Sequence, residues 1–144
     1  LAFGEFRLTG RLTGMTLTGR VGYRLASMKA NDVLNLWLHH LALNAMAPEG
    51  AVLQSYWVAE DKDVILEPVK NPELLLRALL DLYWQGTRRL LHFFPKSALA
   101  YVEKLQRGKT GEEALRAARL VWTCSQRCQP GGPWPFCGCT RASV

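Results

Sequence analysis

The stretch LTGRVGYRLASMKANDVLNLWLHHLALNAM, residues 17–46, decides the fold, because its apolar period changes once, from two to 3.6, near Lys29. Over residues 17–25, Leu17, Val21, Tyr23 and Leu25 alternate with Thr18, Arg20, Gly22 and Arg24, which predicts a half-buried strand. Asn31 or Asp32 then offers a capping side chain for a helix that stops near Met46, ahead of Pro48 and Gly50. On a helical wheel Val33, Leu34, Trp37, Leu38, Leu41, Ala42 and Ala45 fill one half, while Asp32, Asn35 and His39 form a narrow polar stripe. A helix of this kind covers a sheet. His39 and His40 are neighbours and point about 100° apart, whereas helical metal pairs stand one turn apart, so structural roles are expected of both.

Upstream, residues 5–13 alternate in the same way, with Phe6, Leu8, Gly10 and Leu12 between Glu5, Arg7, Thr9, Arg11 and Thr13. A hairpin of this strand with residues 17–25, turning at 14–16, is predicted to place Arg7, Arg11, Arg20 and Arg24 on one face. Downstream, residues 51–59 and 63–69 read as two strands about an acidic turn at 60–62. Asn71-Pro72-Glu73 supplies a cap, a proline at the first helical position and an acid in the first turn for a helix over 74–84 that ends at Gly86. Residues 88–91 and 93–94 approach Pro95 in extended form, and a helix follows over 96–106. Thr110 and Glu113 make a capping box for a last helix with Leu115, Ala118 and Val121 or Trp122 inward. The order ββαββααα makes this a mixed α/β domain without internal repeats.

The chain's 144 residues, 49% hydrophobic and 21% charged, suit one globular core. The longest apolar runs are interrupted by His39, His40, Arg77 and Asp81, so none reaches the ~20 residues of a membrane span. The chain begins at Leu1 with strand-like alternation and no basic-then-apolar leader, which reads as a fragment of a longer protein rather than a secreted precursor. Its net charge of +6 is uneven: residues 1–29 carry five basic groups against one acid, residues 30–70 two against six, and residues 71–109 seven against three. Clustered cations are the footprint of a phosphate partner. Cys124, Cys128, Cys137 and Cys139 all fall in a Pro- and Gly-rich stretch, so residues 1–122 are expected to be the domain and 123–144 a disordered or non-native tail. Four thiolates can close a zinc site, yet C-x₃-C followed by C-x-C is not a common knuckle spacing.

A hairpin, a covering helix and further strands match the core order of nucleases whose motif is Asp…(Asp/Glu)-x-Lys, in which two carboxylates hold Mg²⁺ and the lysine orients water. Here Thr13 stands where the first Asp is expected, and Ser27-Met28-Lys29 where the acid-x-Lys is expected. The lysine is kept and the carboxylates are replaced. Hydroxyls supply no negative charge against the hydration of a hard dication, so no catalytic residue and no metal are expected. Gly108-Lys109-Thr110 lacks the earlier glycine and preceding strand of a phosphate loop, and Ser27, Ser55 and Ser97 lack elbow glycines.

Two blocks carry a family resemblance: Tyr23-Arg24-Leu-Ala-Ser-Met-Lys29-Ala30 with Leu34-Asn-Leu-Trp37-Leu38-His39-His40-Leu41-Ala42-Leu43, and Leu79-Leu80-Asp-Leu82-Tyr83-x-x-Gly86 with Phe93-Phe94-Pro95-Lys96-Ser97-Ala98-x-Ala100-Tyr101. Their order and separation resemble the C-terminal domain of RecC, the gamma subunit of exodeoxyribonuclease V, over about residues 5–122; beyond Trp122 the likeness ends. The resemblance implies a restriction-endonuclease-like core that has lost its metal site. The enclosing complex is a helicase-nuclease that processes double-strand DNA ends for recombination repair in the bacterial cytoplasm. It also implies RecB-like and RecD-like partner subunits that use Mg²⁺ and ATP, leaving this chain without a cofactor and with scaffold and strand-guiding work on double- and single-stranded DNA. The Gln and Tyr of active relatives are Asn35 and His39 here. Arg7, Arg11, Arg20, Arg24 and Lys29 are the phosphate-contact candidates, with Arg88, Arg89 and Lys96 as a second group. The competing readings are an active Mg-dependent nuclease drawing carboxylates from Asp32 and Glu5, and a zinc-stabilised interaction module built on the cysteine tail.

Overall fold

The computed structural model of the protein describes residues 1–127. They fall into two compact units, Leu1–Leu91 and a second that begins at His92. Among the described residues no helix is long and apolar enough to cross a membrane.

The first unit opens with a minimal antiparallel hairpin, β1 (Ala2–Phe3) and β2 (Phe6–Arg7), with Phe3 opposite Phe6. Gly4, at φ 61°, opens its two-residue turn. A second hairpin follows, β3 (Met15–Thr16) and β4 (Gly19–Tyr23). The single long hairpin predicted over 5–13 and 17–25 is therefore replaced by two tight ones, with residues 8–14 irregular between them. Local turn chemistry is the reason. The Thr16 hydroxyl donates to the Gly19 carbonyl (2.7 Å) and accepts from the Thr18 amide (3.3 Å), so the chain reverses at Leu17-Thr18. Gly19, at φ 124°, brings its backbone so near Gln54 that a Cβ would lie 2.6 Å from that carbonyl oxygen. Period-two alternation reports which face a residue takes and is silent on where the turn falls.

From β4 the chain crosses over through α1 (Ala30–Met46) and returns as β5 (Ser55–Val58), which pairs parallel to β4. The strand β6 (Asp63–Leu66) pairs antiparallel to β5, completing a four-stranded sheet in the order β3-β4-β5-β6. The expected pair of strands after the helix is present, β5 shorter at both ends and β6 starting where expected and ending three residues early. The inner face of α1 differs from the wheel prediction: Leu36, His40, Leu41, Leu43 and Asn44 are buried, whereas Leu38 is 43% exposed. Two polar residues rotate the helix. His40 Nε2 donates to the Glu67 carbonyl (3.0 Å) and its Nδ1 accepts from the Ser55 hydroxyl (2.9 Å). The Asn44 amide donates to the His40 and Leu53 carbonyls (2.9 and 3.1 Å) and accepts from the Val69 amide (3.0 Å). The polar side-chain atoms of His40 and Asn44 meet main-chain or hydroxyl partners, so their burial costs little and the loops around β5 and β6 are stitched to the helix.

The helix α2 (Pro72–Arg88) packs on α1 and buries Leu76. Pro72 stands at its first turn as expected, but Asn71 adopts the left-handed conformation (φ 56°) and makes no side-chain cap. Asparagine tolerates that conformation, and it turns the chain in place of capping it. The helix continues through Gly86 rather than ending there; a Cβ on Gly86 would come within 2.9 Å of Leu91. Trp84 meets Phe6 edge-on at 5.6 Å, joining α2 to the first hairpin.

The second unit is a helical pair, α3 (Pro95–Gln106) and α4 (Gly111–Arg127), reversed at Gly108 with φ 72°. The capping box forms: the Thr110 amide donates to Glu113 Oε2 (3.1 Å), and the Glu113 amide donates to Thr110 Oγ1 (3.3 Å). Ala114, not Leu115, is buried; Leu115 is 46% exposed, because the small residue lets α3 approach. Trp122 packs on Phe94 with ring centres 4.0 Å apart. The helix passes the boundary expected at 122/123, and the expectations for Cys124, Cys128, Cys137 and Cys139 lie outside the described side chains.

Candidate nucleic-acid interface

The register of the sheet distributes the candidate arginines. Arg20, Gly22 and Arg24 follow one another on the face that α1 covers, beside Ser55 and Trp57, whereas Val21 and Tyr23 share the outer face with Tyr56, Val58 and Ile65. The four-arginine surface predicted for the long hairpin is not built. Arg20 is 6% exposed, and its Nε and Nη1 have no hydrogen-bond partner among the described residues. Burial lowers its pKa from the ordinary guanidinium value. Arg24 reaches back to α1, where its Nη1 lies 3.2 Å from both carboxylate oxygens of Asp32. Arg7 sits on β2 and Arg11 in the irregular segment 8–14, both exposed and both outside the sheet.

The positions expected for a metal site come from two connecting segments. Thr13 is exposed in the irregular segment, Ser27 is exposed in the β4–α1 connection, and Lys29 is the exposed N-cap residue of α1; no hydrogen bond joins any two of them. The nearby acids are engaged. Asp32 accepts from the Lys29 amide (2.8 Å) as well as pairing with Arg24, and Asp61 accepts from the Met28 amide (2.7 Å). Glu5 lies in the exposed β1–β2 turn. Among the described residues no three His, Cys, Asp or Glu side chains gather at one place. Beside Ser27 and Lys29 stand two carboxylates, Asp32 paired with the Arg24 guanidinium and Asp61 on the Met28 amide, while Thr13 and Ser27 offer only hydroxyls.

Besides Lys29, the exposed candidate cations stand in three places. Arg7 and Arg11 flank a groove of about 510 Å³ between residues 7–12 and the helices, with His39 on the α1 side. The His39 Nδ1 lies 2.7 Å from the Asn35 carbonyl one turn back, which fixes the ring. On α2, the Arg88 guanidinium lies 4.5 Å over the Trp84 ring and Arg89 donates to Gln85 Oε1 at 2.6 Å, both at the helix end where cations favour the dipole. Lys96, in the second unit, is exposed in the first turn of α3. The groove itself was not legible in the sequence, since its floor joins an irregular segment to two helices. The available signal was Met46, an apolar residue that falls within the arc of α1 marked as polar by Asn35 and His39.

The sequence matches the family described as the RecC C-terminal domain, over residues 1–106. Comparison with curated proteins and with solved structures gives no match.

Proposed function

The chain belongs to the RecC C-terminal domain family, and from that membership we propose that it is a non-catalytic scaffold domain of the exodeoxyribonuclease V complex, contacting DNA backbone and partner subunits during the processing of double-strand ends. One observation carries the non-catalytic part: Asp32, the acid nearest the expected metal site in sequence, is held by Arg24 and by the Lys29 amide, while Thr13 and Ser27 contribute no charge. A nuclease-like core with the metal ligands replaced accounts for that arrangement, and mixed α/β architecture is compatible with it. Mg²⁺ and ATP are then used by the RecB-like and RecD-like subunits, in the cytoplasm, and this chain binds neither.

Arg7, Arg11, Lys29, Arg88, Arg89 and Lys96 remain exposed and able to meet a phosphate or a partner's carboxylate; Arg20 is buried, and Arg24 is half-buried and paired with Asp32. The deciding assay incubates the full chain with linear DNA and Mg²⁺ or Mn²⁺. No cutting is expected, with or without the Lys29→Ala substitution. Metal-dependent cutting that disappears in Lys29→Ala would establish the active-nuclease reading instead.

A further inference from the structure

The groove between Arg7 and Arg11 has a composition that phosphate binding alone leaves unexplained. Its floor is aliphatic: Leu8 and Leu12 from the irregular segment, Leu38, Ala42 and Met46 at four-residue steps along α1, and Leu76 from α2. Leu38 and Met46 are 43% and 53% exposed, so this floor is open rather than a sealed core. No acid lines it, and neither Arg7 nor Arg11 has an ion-pair partner among the described residues. A sugar-phosphate backbone would satisfy the arginines and leave Leu8, Leu12, Leu38, Ala42 and Met46 uncovered. A nucleobase stacks best on aromatic rings, and His39 is the one aromatic side chain in the lining. An apolar floor bounded by unpaired guanidinium groups is the surface that a large apolar anchor residue flanked by carboxylates would cover, with the anchor desolvated at the centre and the charges paired at the rim.

We propose that this groove is a docking site for an acidic polypeptide segment, one bulky apolar side chain seated on Leu38, Ala42 and Met46 and its flanking carboxylates paired with Arg7 and Arg11. The amides of Thr9 and Gly10, in a stretch without secondary structure, lie on the same wall and can donate to the carbonyls of an extended segment. The guanidinium forks suit carboxylates in bidentate geometry, which gives register as well as attraction. The site rests on the scaffold reading and names the chemistry of one partner surface, and its failure would leave the non-catalytic assignment intact because the metal assay above tests that separately.

The test is fluorescence anisotropy of the full chain with a labelled peptide, Asp-Asp-Leu-Phe-Glu-Asp, against three controls: Ser in place of Leu-Phe, Lys in place of every acid, and an oligothymidine strand. The acidic apolar peptide is expected to bind in saturable fashion, and both altered peptides to bind at least about tenfold more weakly, the loss of one anchor's worth of interface energy. Arg7→Glu with Arg11→Glu, and separately Leu38→Glu, are expected to weaken the peptide to the same degree. These side chains are exposed, so circular dichroism should match the parent chain, and a variant that does not match is replaced by Met46→Gln. Absence of saturable binding, binding indifferent to these substitutions, or displacement of the peptide by oligothymidine at equal phosphate-to-carboxylate ratio would each overturn the proposal.

Discussion

Arg20 is a cation beneath α1 whose Nε and Nη1 find no acceptor among the described residues, opposite Ser55 in the parallel pair. Removing a buried charge of this kind in favour of an apolar group is neutral or stabilising, so Arg20→Leu should raise the unfolding free energy by about 1 kcal/mol, measured by urea denaturation. A clear loss would mean that the guanidinium has an anionic partner in the working protein. His40 gives a pH signature. Burial first, and the charge of Arg20 in addition, lower its pKa below the ordinary 6.5 against the opposing hydrogen bond to Glu67. The unfolded chain therefore binds the proton first as pH falls. Stability due to this residue is full above 6.5 and declines below it, by at most about 1.4 kcal/mol per pH unit, and His40→Gln should remove that slope from the denaturation midpoint measured against pH. Gly22 is legible only in three dimensions: a Cβ there would lie 2.6 Å from the Trp57 ring, and Gly22→Ala should cost about 1–3 kcal/mol, recovered in part by Trp57→Leu. In sequence the same glycine was one more small residue in an alternating run.

At the scale of elements, Asp32 links β4 to α1: it accepts from the Lys29 amide as an acid in the first turn does, and it holds Arg24. Asp32→Ala removes both, and a loss of about 1–2 kcal/mol is expected in thermal or urea unfolding, whereas Asp32→Asn keeps the cap and should lose less. The helices were legible in the sequence with their ends within a few residues because caps and prolines are local signals: Pro72, Pro95 and the Thr110–Glu113 box act on their own turns. Rotation about the axis was hidden. His40 and Asn44 face inward because their partners are the Glu67, Leu53 and Val69 main-chain groups, which are remote in sequence. The candidate site suffered most. Its four-arginine face depended on hairpin register, and a small shift in where the turn falls put Arg20 under α1 and Arg24 against Asp32.

For the whole molecule, the large apolar side chains that face solvent are the dominant feature. Tyr23, Val58 and Ile65 on the outer sheet face are 72%, 47% and 57% exposed, and Leu74, Tyr83 and Trp84 on α2 are 67%, 68% and 43% exposed. On the sheet, where Tyr23 pairs with Val58 and Tyr56 with Ile65, these side chains form a patch of the kind that marks an interaction surface or an aggregation liability. Val58→Thr with Ile65→Lys should change the unfolding free energy by less than about 0.5 kcal/mol while increasing the concentration at which the chain stays monodisperse by light scattering. DNA affinity belongs to this scale as well. Combined Arg88→Ala, Arg89→Ala and Lys96→Ala substitutions in the assembled complex should flatten the logarithmic dependence of DNA-end affinity on salt, by up to about 0.9 for each phosphate that is no longer neutralised. An unchanged slope would remove these cations from the DNA path.

The parallel pairing of β4 with β5 has a consequence for the order of assembly. Arg20 meets Ser55 only after the intervening α1 has been made and laid down, so β4 cannot acquire its second neighbour by a local reversal. During synthesis the edge of β4 stays open until Val58 has left the ribosome, and for that interval the nascent chain is a template for strand exchange with another copy. Substitutions that delay α1 lengthen that interval, and they should lower the yield of folded protein more than they lower its equilibrium stability.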